Sequence, residues 1–568
     1  MVGTQRNTEP GAGRLVVIDA DVRTARAAHA LDRPLVLVQR PGSRVDELVD
    51  DFSGYYSVDF AGEGFEEFVR EILVPLAPTA VVSLSDEGAR AATLANSLLG
   101  TDGTRVDEAH RLLAGTSGGE AYEAGGAYKA GGANGAGGAN GAGGANGAGG
   151  AGRDDGRGER AASPSGQPAA LFINNHPYSN FNRGGVYTLP TSEIDIHMAA
   201  RTQIDGGVTG FADHPLDHVA LCEANEEDRW REICEWILRN HPISRVIAVH
   251  ERAVLLAAEM RSKFGLTGMD LDTATRFRDK VRMKDAVRAA DAATVPDFAP
   301  LDTVEDLEKV DWSTGRKVIK SRTGLAAKDL YIVETLEEAR RVVGGLDLSG
   351  SHYEVEEFVK GQIYHCDSVV RDGTVVFRSV GKYLADPASY QPGSIFGTVL
   401  VGEGELVRRI TELNTRVLAA LGLKDGTTHL ELFHTEADEL VFCEVAGRPP
   451  GGIIPPVIQA QYGFDIVETQ IRIDAGLDIS LGTAPEPVDG AGTAGFLAFY
   501  PGGGESRGID PDRLTSLGVV EHLTHRGAGN GRGGVRHSTD FLDSYVIKAA
   551  DDEELMRRIA AIQDEYWR

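Results

Sequence analysis

One tract of this chain cannot take part in any core. From Gly115 to Gln167 the sequence is dominated by Gly, Ala, Asn and Ser, and ANGAGG repeats from Ala133 to Gly150. Side chains that small bury almost no apolar surface, so the tract reads as a flexible linker. Whatever folds must be built from the sequence on either side of it. A total of 568 residues also exceeds what one core accommodates, and predicts several domains.

Before the linker, short apolar runs predict strands at 14–19, 34–39, 55–60 and 80–85. Helical patterns such as GFEEFVREILVPL and GARAATLANSLLG lie between them. After the linker, 170–175, 218–223 and 245–250 read as strands. Trp230, Ile233, Trp236 and Ile237 form one apolar stripe at helical spacing. Alternating strands and helices indicate a parallel α/β sheet.

The two regions match at a fixed offset of 165 residues. Val81 falls on Val246, Gly100 on Gly265, Gly103 on Gly268, Asp107 on Asp272 and Arg111 on Arg276. Ungapped Gly and Asp matches favour an internal duplication over two unrelated strand–helix units. The first copy ends at Gly115, where the second has Lys280 and runs on.

The net charge of −28, from 57 basic and 85 acidic residues, argues against nucleic acid or an anionic membrane surface as partner. The four cysteines form no CxxC pair, so zinc is unsupported, and their scarcity suits a reducing compartment. No signal pattern opens the chain, and no apolar run reaches the ~18 residues of a membrane span. A cytoplasmic protein is expected.

The stretch HLELFHTEADELVFCEVAGRPPGG (429–452) predicts a β-hairpin. With Ala437-Asp438 as the central turn pair, Glu431 lies directly opposite Glu444. Like charges there destabilise a bare sheet. A divalent cation between them removes the conflict, and magnesium prefers carboxylate oxygens together with phosphates and water. Taken alone, a solvated face with a shifted register explains the two glutamates equally well. Lys320 closes the apolar run KVI, and a lysine on a buried strand requires an anionic partner.

In order, DKVRMK (279–284), VIKSR (318–322), the small-residue loop TGLAAK (323–328), VEEFVKG (355–361) and EVAGR (444–448) resemble the ATP-grasp superfamily. No single piece is specific; five in sequence are. The resemblance runs from about Arg245 to Gly452 by motif. It implies an α/β fold: duplicated Rossmann-like units that precede the grasp, then an α+β ATP-grasp domain of two lobes. The expected divisions are 1–114 for the incomplete first copy, 115–168 for the linker, 169–275 for the second unit, 276–480 for the ATP-grasp domain and 481–568 for its extension.

The resemblance further implies ADP-forming carboxylate–amine ligation, as in the amino-acid and dipeptide ligases. ATP and Mg2+ (or Mn2+) are the expected cofactors, with small-molecule carboxylate and amine substrates; a homodimer stays open. Glu431 and Glu444 would hold the metal. Arg448 would stabilise the transferring phosphoryl group or the acyl phosphate, and Lys320, on the ATP phosphates, would be the second catalytic residue. Lys280, Lys320, Gly324 and Lys328 would meet the phosphates, Glu356, Glu357 and Val359 the adenine edge. Ile363 stands where the family often has a ribose-binding Glu, and His365 and Asp367 are the candidate substitutes. Ala446 replaces the family's Asn ligand, which leaves one or two metals open. A Gly/Arg loop at 526–538, with Arg532 or Arg536, is a further candidate clamp for an anionic group. The alternatives are a carboxylase- or purine-pathway-type ligase, and a non-catalytic ATP sensor. The first copy, with no lobes after it, is expected to be a scaffold or interaction module.

Overall fold

The computed structural model describes residues 14–101, 167–201, 216–324, 329–481, 492–524 and 540–567, apart from short breaks within these ranges. The linker expectation falls outside the described residues.

The first sheet has eight strands: β1 (Leu15–Ile18), β2 (Leu35–Gln39), β3 (Gly54–Ser57), β4 (Ala80–Val82), β5 (Ala169–Asn174), β6 (Asp195–Arg201), β7 (His218–Cys222) and β8 (Ile243–Ile247). Their spatial order is β8-β5-β6-β7-β3-β2-β1-β4. Within each half the strands are parallel. The halves meet where β3 pairs antiparallel with β7, Tyr55 opposite Leu221 and Tyr56 opposite Ala220. Each half therefore presents its third strand to the other, as two copies related by a two-fold axis would. The duplicated units share one sheet, and the β7 edge is covered by the first copy.

The repeat is visible in detail. Helix α1 (Asp86–Leu99) and helix α3 (Glu251–Phe264) are both 14 residues long and start 165 residues apart. Ser85 and His250 cap their N-termini with side-chain acceptors, and Gly100 and Gly265 close them at φ of 66° and 64°. These glycines sit in the left-handed region that helix ends commonly require, which is why they survive in both copies. Strand β6, DIHMAAR, is absent from the sequence reading: Asp195, His197 and Arg201 interrupt its apolar run.

Both faces of this sheet bury residues from both units. Phe68 of the first unit packs edge-on against Tyr56 and against Trp236 of helix α2 (Glu227–Asn240), each at 5.4 Å between centroids.

Beyond helices α4 (Leu271–Arg278) and α5 (Lys280–Ala289) come two antiparallel sheets. The smaller contains β9 (Phe298–Leu301), β10 (Lys317–Ser321), β11 (Leu330–Val333) and β12 (Tyr353–Glu357), in the order β9-β12-β10-β11. The larger begins with β13 (Gly361–Arg371), β14 (Thr374–Tyr383), β15 (Ile395–Leu400), β16 (Gly426–Thr435) and β17 (Leu440–Ala446). It ends with β18 (Thr493–Phe499), β19 (Val519–Thr524) and β20 (Asp543–Ala549), in the order β17-β16-β13-β14-β15-β18-β20-β19. One face of the larger sheet packs on α5 and on α6 (Glu405–Leu421) through Met283, Val287, Ile410 and Val417. The other face carries the polar groups considered next.

Replacing Phe68 by Ala should cost about 3–5 kcal/mol, because it empties a fully buried site on the seam. Denaturant titration followed by tryptophan fluorescence measures this; an unchanged midpoint would mean the two units do not depend on each other.

Candidate active site

The β16–β17 hairpin places Glu431 directly opposite Glu444. The turn differs from the expected one. Asp438 takes φ 62°, and His434 pairs with Leu440, so the pairing next to the turn is one residue out of step. A bulge between Glu431 and Leu432 leaves Cys443 unpaired and restores the register at the glutamates. Leu430, Leu432, Phe442 and Val445 point into the core, and the glutamates to the other face.

The two carboxylates are neutralised from different directions. Glu444, 36% exposed, pairs with Lys280 Nζ at 3.2 Å. Lys280 opens α5 and also donates to the Gly324 carbonyl at 3.1 Å, which ties that loop to the hairpin. Gly324 is closely packed: a Cβ there would stand 2.9 Å from Ser321 Cβ. Glu431, 19% exposed, accepts from Tyr383 Oη at 2.8 Å and faces His429 Nε2 at 3.4 Å. Burial opposes its ionisation, but hydrogen bonds from His429 and Tyr383 and the His429 charge hold its pKa down at about 2.

Arg448 follows two residues beyond the end of β17. Its Nε donates to Glu251 at 2.5 Å, and Nη1 donates to the Pro449 carbonyl at 2.6 Å. Glu251, in the first turn of α3, also pairs with Arg278, whose Nη2 donates to the Thr323 carbonyl at 2.5 Å. One buried carboxylate thus joins the parallel sheet, the guanidinium of the hairpin and the loop at 323–324. Burial again works against the charge, but Arg278, Arg448 and Lys280 lower the Glu251 pKa to about 2.

In the smaller sheet, Lys320 pairs with Glu356 at 2.6 Å and lies 3.8 Å from Glu354. Lys284 pairs with the same two carboxylates, 2.6 Å from Glu354. The expected anionic partner of Lys320 is therefore a pair of glutamates, and the four charges are mutually compensated in a buried cluster. Burial penalises Glu356, yet Lys320 and Lys284 lower its pKa to about 2. Glu357 ends β12, its N–H bonded to Asp297 O at 2.8 Å, and Val359 lies between the two sheets. His365 is fully buried; Nδ1 meets Asp367 at 2.9 Å and Nε2 meets Thr398 at 2.8 Å, so neither ring nitrogen is left to meet a ribose. Lys328, Arg532 and Arg536 lie outside the described residues.

Sequence reading missed Glu251, Lys284, Glu354, Tyr383, His429 and two imidazoles, His176 and His250. The imidazoles sit past the carboxyl ends of β5 and β8, 4.6 Å apart. Burial and the Arg448 charge push His176 down to about 4, so it is neutral at physiological pH. Carboxyl ends of parallel strands are where open α/β sheets bind ligands, which was the available signal.

Two opposed, partly exposed carboxylates are hard oxygen donors and fit magnesium. Lys280 pairs with Glu444, and Lys320 also lies within reach of the Glu444 charge. The His365, Asp367 and His429 donors also cluster within 4.8 Å, but both carboxylate oxygens of Asp367 already accept from imidazole nitrogens.

No protein-family model matches the chain. An L-arginine-specific L-amino acid ligase from Bacillus subtilis is 26% identical over 330 residues, covering 55% of this chain and 78% of that protein. The crystal structure of an L-amino acid ligase from Bacillus licheniformis superimposes with a TM-score of 0.54 at 17% identity, over 70% of this chain and 98% of that one. Carboxyaminoimidazole ribonucleotide synthase from Aspergillus clavatus, complexed with ATP, gives 0.52 at 14% identity, with coverage of 70% and 98%.

The chain thus shares its fold with an L-amino acid ligase and a carboxyaminoimidazole ribonucleotide synthase.

Glu251→Gln leaves Arg278 and Arg448 without their shared buried anion and should cost about 3–5 kcal/mol at neutral pH. Because the folded pKa is depressed, this stabilisation is present above the ordinary value of 4.5 and is lost as pH falls towards about 2. Denaturant midpoints of wild type and variant should therefore converge across that window. A constant difference would mean that the Glu251 charge does not hold these groups.

Proposed function

We propose that the chain activates an amino-acid carboxylate as an acyl phosphate and couples it to the amine of a second amino acid. The observation that carries this is the Glu431–Glu444 pair, set face to face with Lys280 on Glu444. The curated relative's action on amino acids supports the substrate class.

In this reading a carboxylate oxygen attacks the γ-phosphorus of ATP and ADP departs. The amine nitrogen then attacks the acyl carbon, loses its proton, and phosphate leaves with the electrons of the broken C–O bond. Magnesium, held by Glu431 and Glu444, supplies charge neutralisation at phosphate oxygens. Lys280 and Lys320 present cations to the phosphates. The planar Arg448 fork faces the transferring group, oriented by Glu251. Gly324 permits close approach of backbone N–H groups. The backbone at Glu357 and Val359, beside Glu356, reads the adenine. Neutral His176 and His250 border Arg448 from the sheet side, where an amino-acid substrate would enter. Residues 1–114 have no lobes of their own and serve as a scaffold, completing the sheet on which that entrance is built.

Phosphate release is the test, with ATP and magnesium across a panel of amino-acid pairs that includes L-arginine. Release should require an amino acid. Glu444→Ala should lower it at least ~100-fold, the loss of several kcal/mol of charge stabilisation. Substrate-independent release, or full activity in the variant, would contradict the proposal.

A further inference from the structure

On the face that carries the glutamates, His429 is paired directly across from Ala446. A methyl group fills little of the space there, and the imidazole, only 11% exposed, lies beside it. His429 is not free to turn. Its Nδ1 meets Asp367 Oδ1 at 2.6 Å, while Nε2 faces Glu431 Oε1 at 3.4 Å and Tyr383 Oη at 3.3 Å. Asp367, fully buried, has its other oxygen 2.9 Å from His365 Nδ1. His365 Nε2 meets Thr398 Oγ1 at 2.8 Å, and that hydroxyl donates to the Lys382 carbonyl at 3.0 Å.

The row crosses four adjacent strands, β16, β13, β14 and β15. It ends on backbone at one side and on Glu431 at the other. Its packing is close: a Cβ on Gly381 would come 2.1 Å from His365 Nε2. At the Glu431 end, Tyr383 Oη donates to Oε1 at 2.8 Å, and His429 Nε2 lies 3.4 Å from the same oxygen.

We propose that Tyr383 and His429 are positioning residues for the cation site. Tyr383 holds Oε1 of Glu431, and His429, tethered by Asp367, packs against both, so that this carboxylate offers a metal only its second oxygen and His429 fills the place opposite Ala446 without being a ligand. This rests on the reading of Glu431 and Glu444 as cation ligands. It adds that Glu431 binds through one oxygen, whose direction is set by a buried row anchored three strands away. Groups that orient a metal ligand typically change metal affinity about 10–100-fold when removed.

The test uses the full chain, Mn2+ as probe and the non-hydrolysable ATP analogue AMP-PNP. Free Mn2+ is followed by electron paramagnetic resonance, and the Mg2+ dependence of turnover is measured beside it. Tyr383→Phe and His429→Ala should each weaken Mn2+ binding by about 10–100-fold. His429→Gln, which keeps a polar side chain that can pack between Asp367 and Tyr383, should recover most of the loss. The Mg2+ concentration giving half-maximal turnover should rise in step, with kcat approached at saturating Mg2+. Tyr383→Phe removes a single oxygen and carries the test should His429→Ala fail to fold. Wild-type Mn2+ binding in Tyr383→Phe or His429→Ala, with binding lost in Glu431→Gln, would overturn the positioning role and leave the ligand assignment standing. Wild-type binding in Glu431→Gln would instead overturn the ligand assignment itself.

Discussion

Two glutamates on facing strands repel each other, and everything around the hairpin answers that repulsion. Lys280 reaches Glu444 from the start of a helix, and Tyr383 and His429 reach Glu431 from within the sheet. Neither set crosses to the other glutamate's side. Glu431 is thus held ionised while directly paired with Glu444, an arrangement that a pair meant only for stability would not need. A simpler stable sheet would carry an opposite-charge or apolar pair at that position.

Glu251 plays the corresponding part between domains. It lies in the first turn of the helix that repeats α1, at the position where the first copy has Asp86. In the second copy the carboxylate meets Arg448 and Arg278, groups that exist only because the chain continues into the lobes. The second unit is thereby tied to the lobes that follow it. The first copy instead closes the sheet edge, through the β3–β7 pairing and the Phe68–Trp236 contact. An unpaired β7 would expose a row of backbone donors and acceptors.

Some of this was readable from residue order. Apolar runs located seven of the eight strands of the first sheet, and the Gly100/Gly265 match recorded a helix-end conformation that few other residues accept. The Glu431–Glu444 pairing also followed from spacing, although a turn one residue out of step and a compensating bulge at Cys443 produce it. What could not be read is equally specific. Strand β6 is hidden because its polar residues break the pattern. Glu251 reads locally as an ordinary acidic residue in a first helical turn, since nothing nearby reveals a partner 197 positions away. Lys284 reads as an exposed lysine on a mixed-charge helix, yet it is fully buried between two glutamates of another strand. Pairings of this kind depend on tertiary approach, which leaves no local signal.

The central claim is that this charge arrangement serves to turn a carboxylate into a leaving group by phosphorylation. The most direct measurement follows oxygen: supply the acid substrate with an 18O-labelled carboxylate, allow turnover with unlabelled ATP, and determine the isotope content of the phosphate. The account predicts one 18O in each phosphate released, because the attacking carboxylate oxygen leaves with phosphorus. Unlabelled phosphate accompanying amide product would contradict it, since the carboxylate would then never have been bonded to phosphorus.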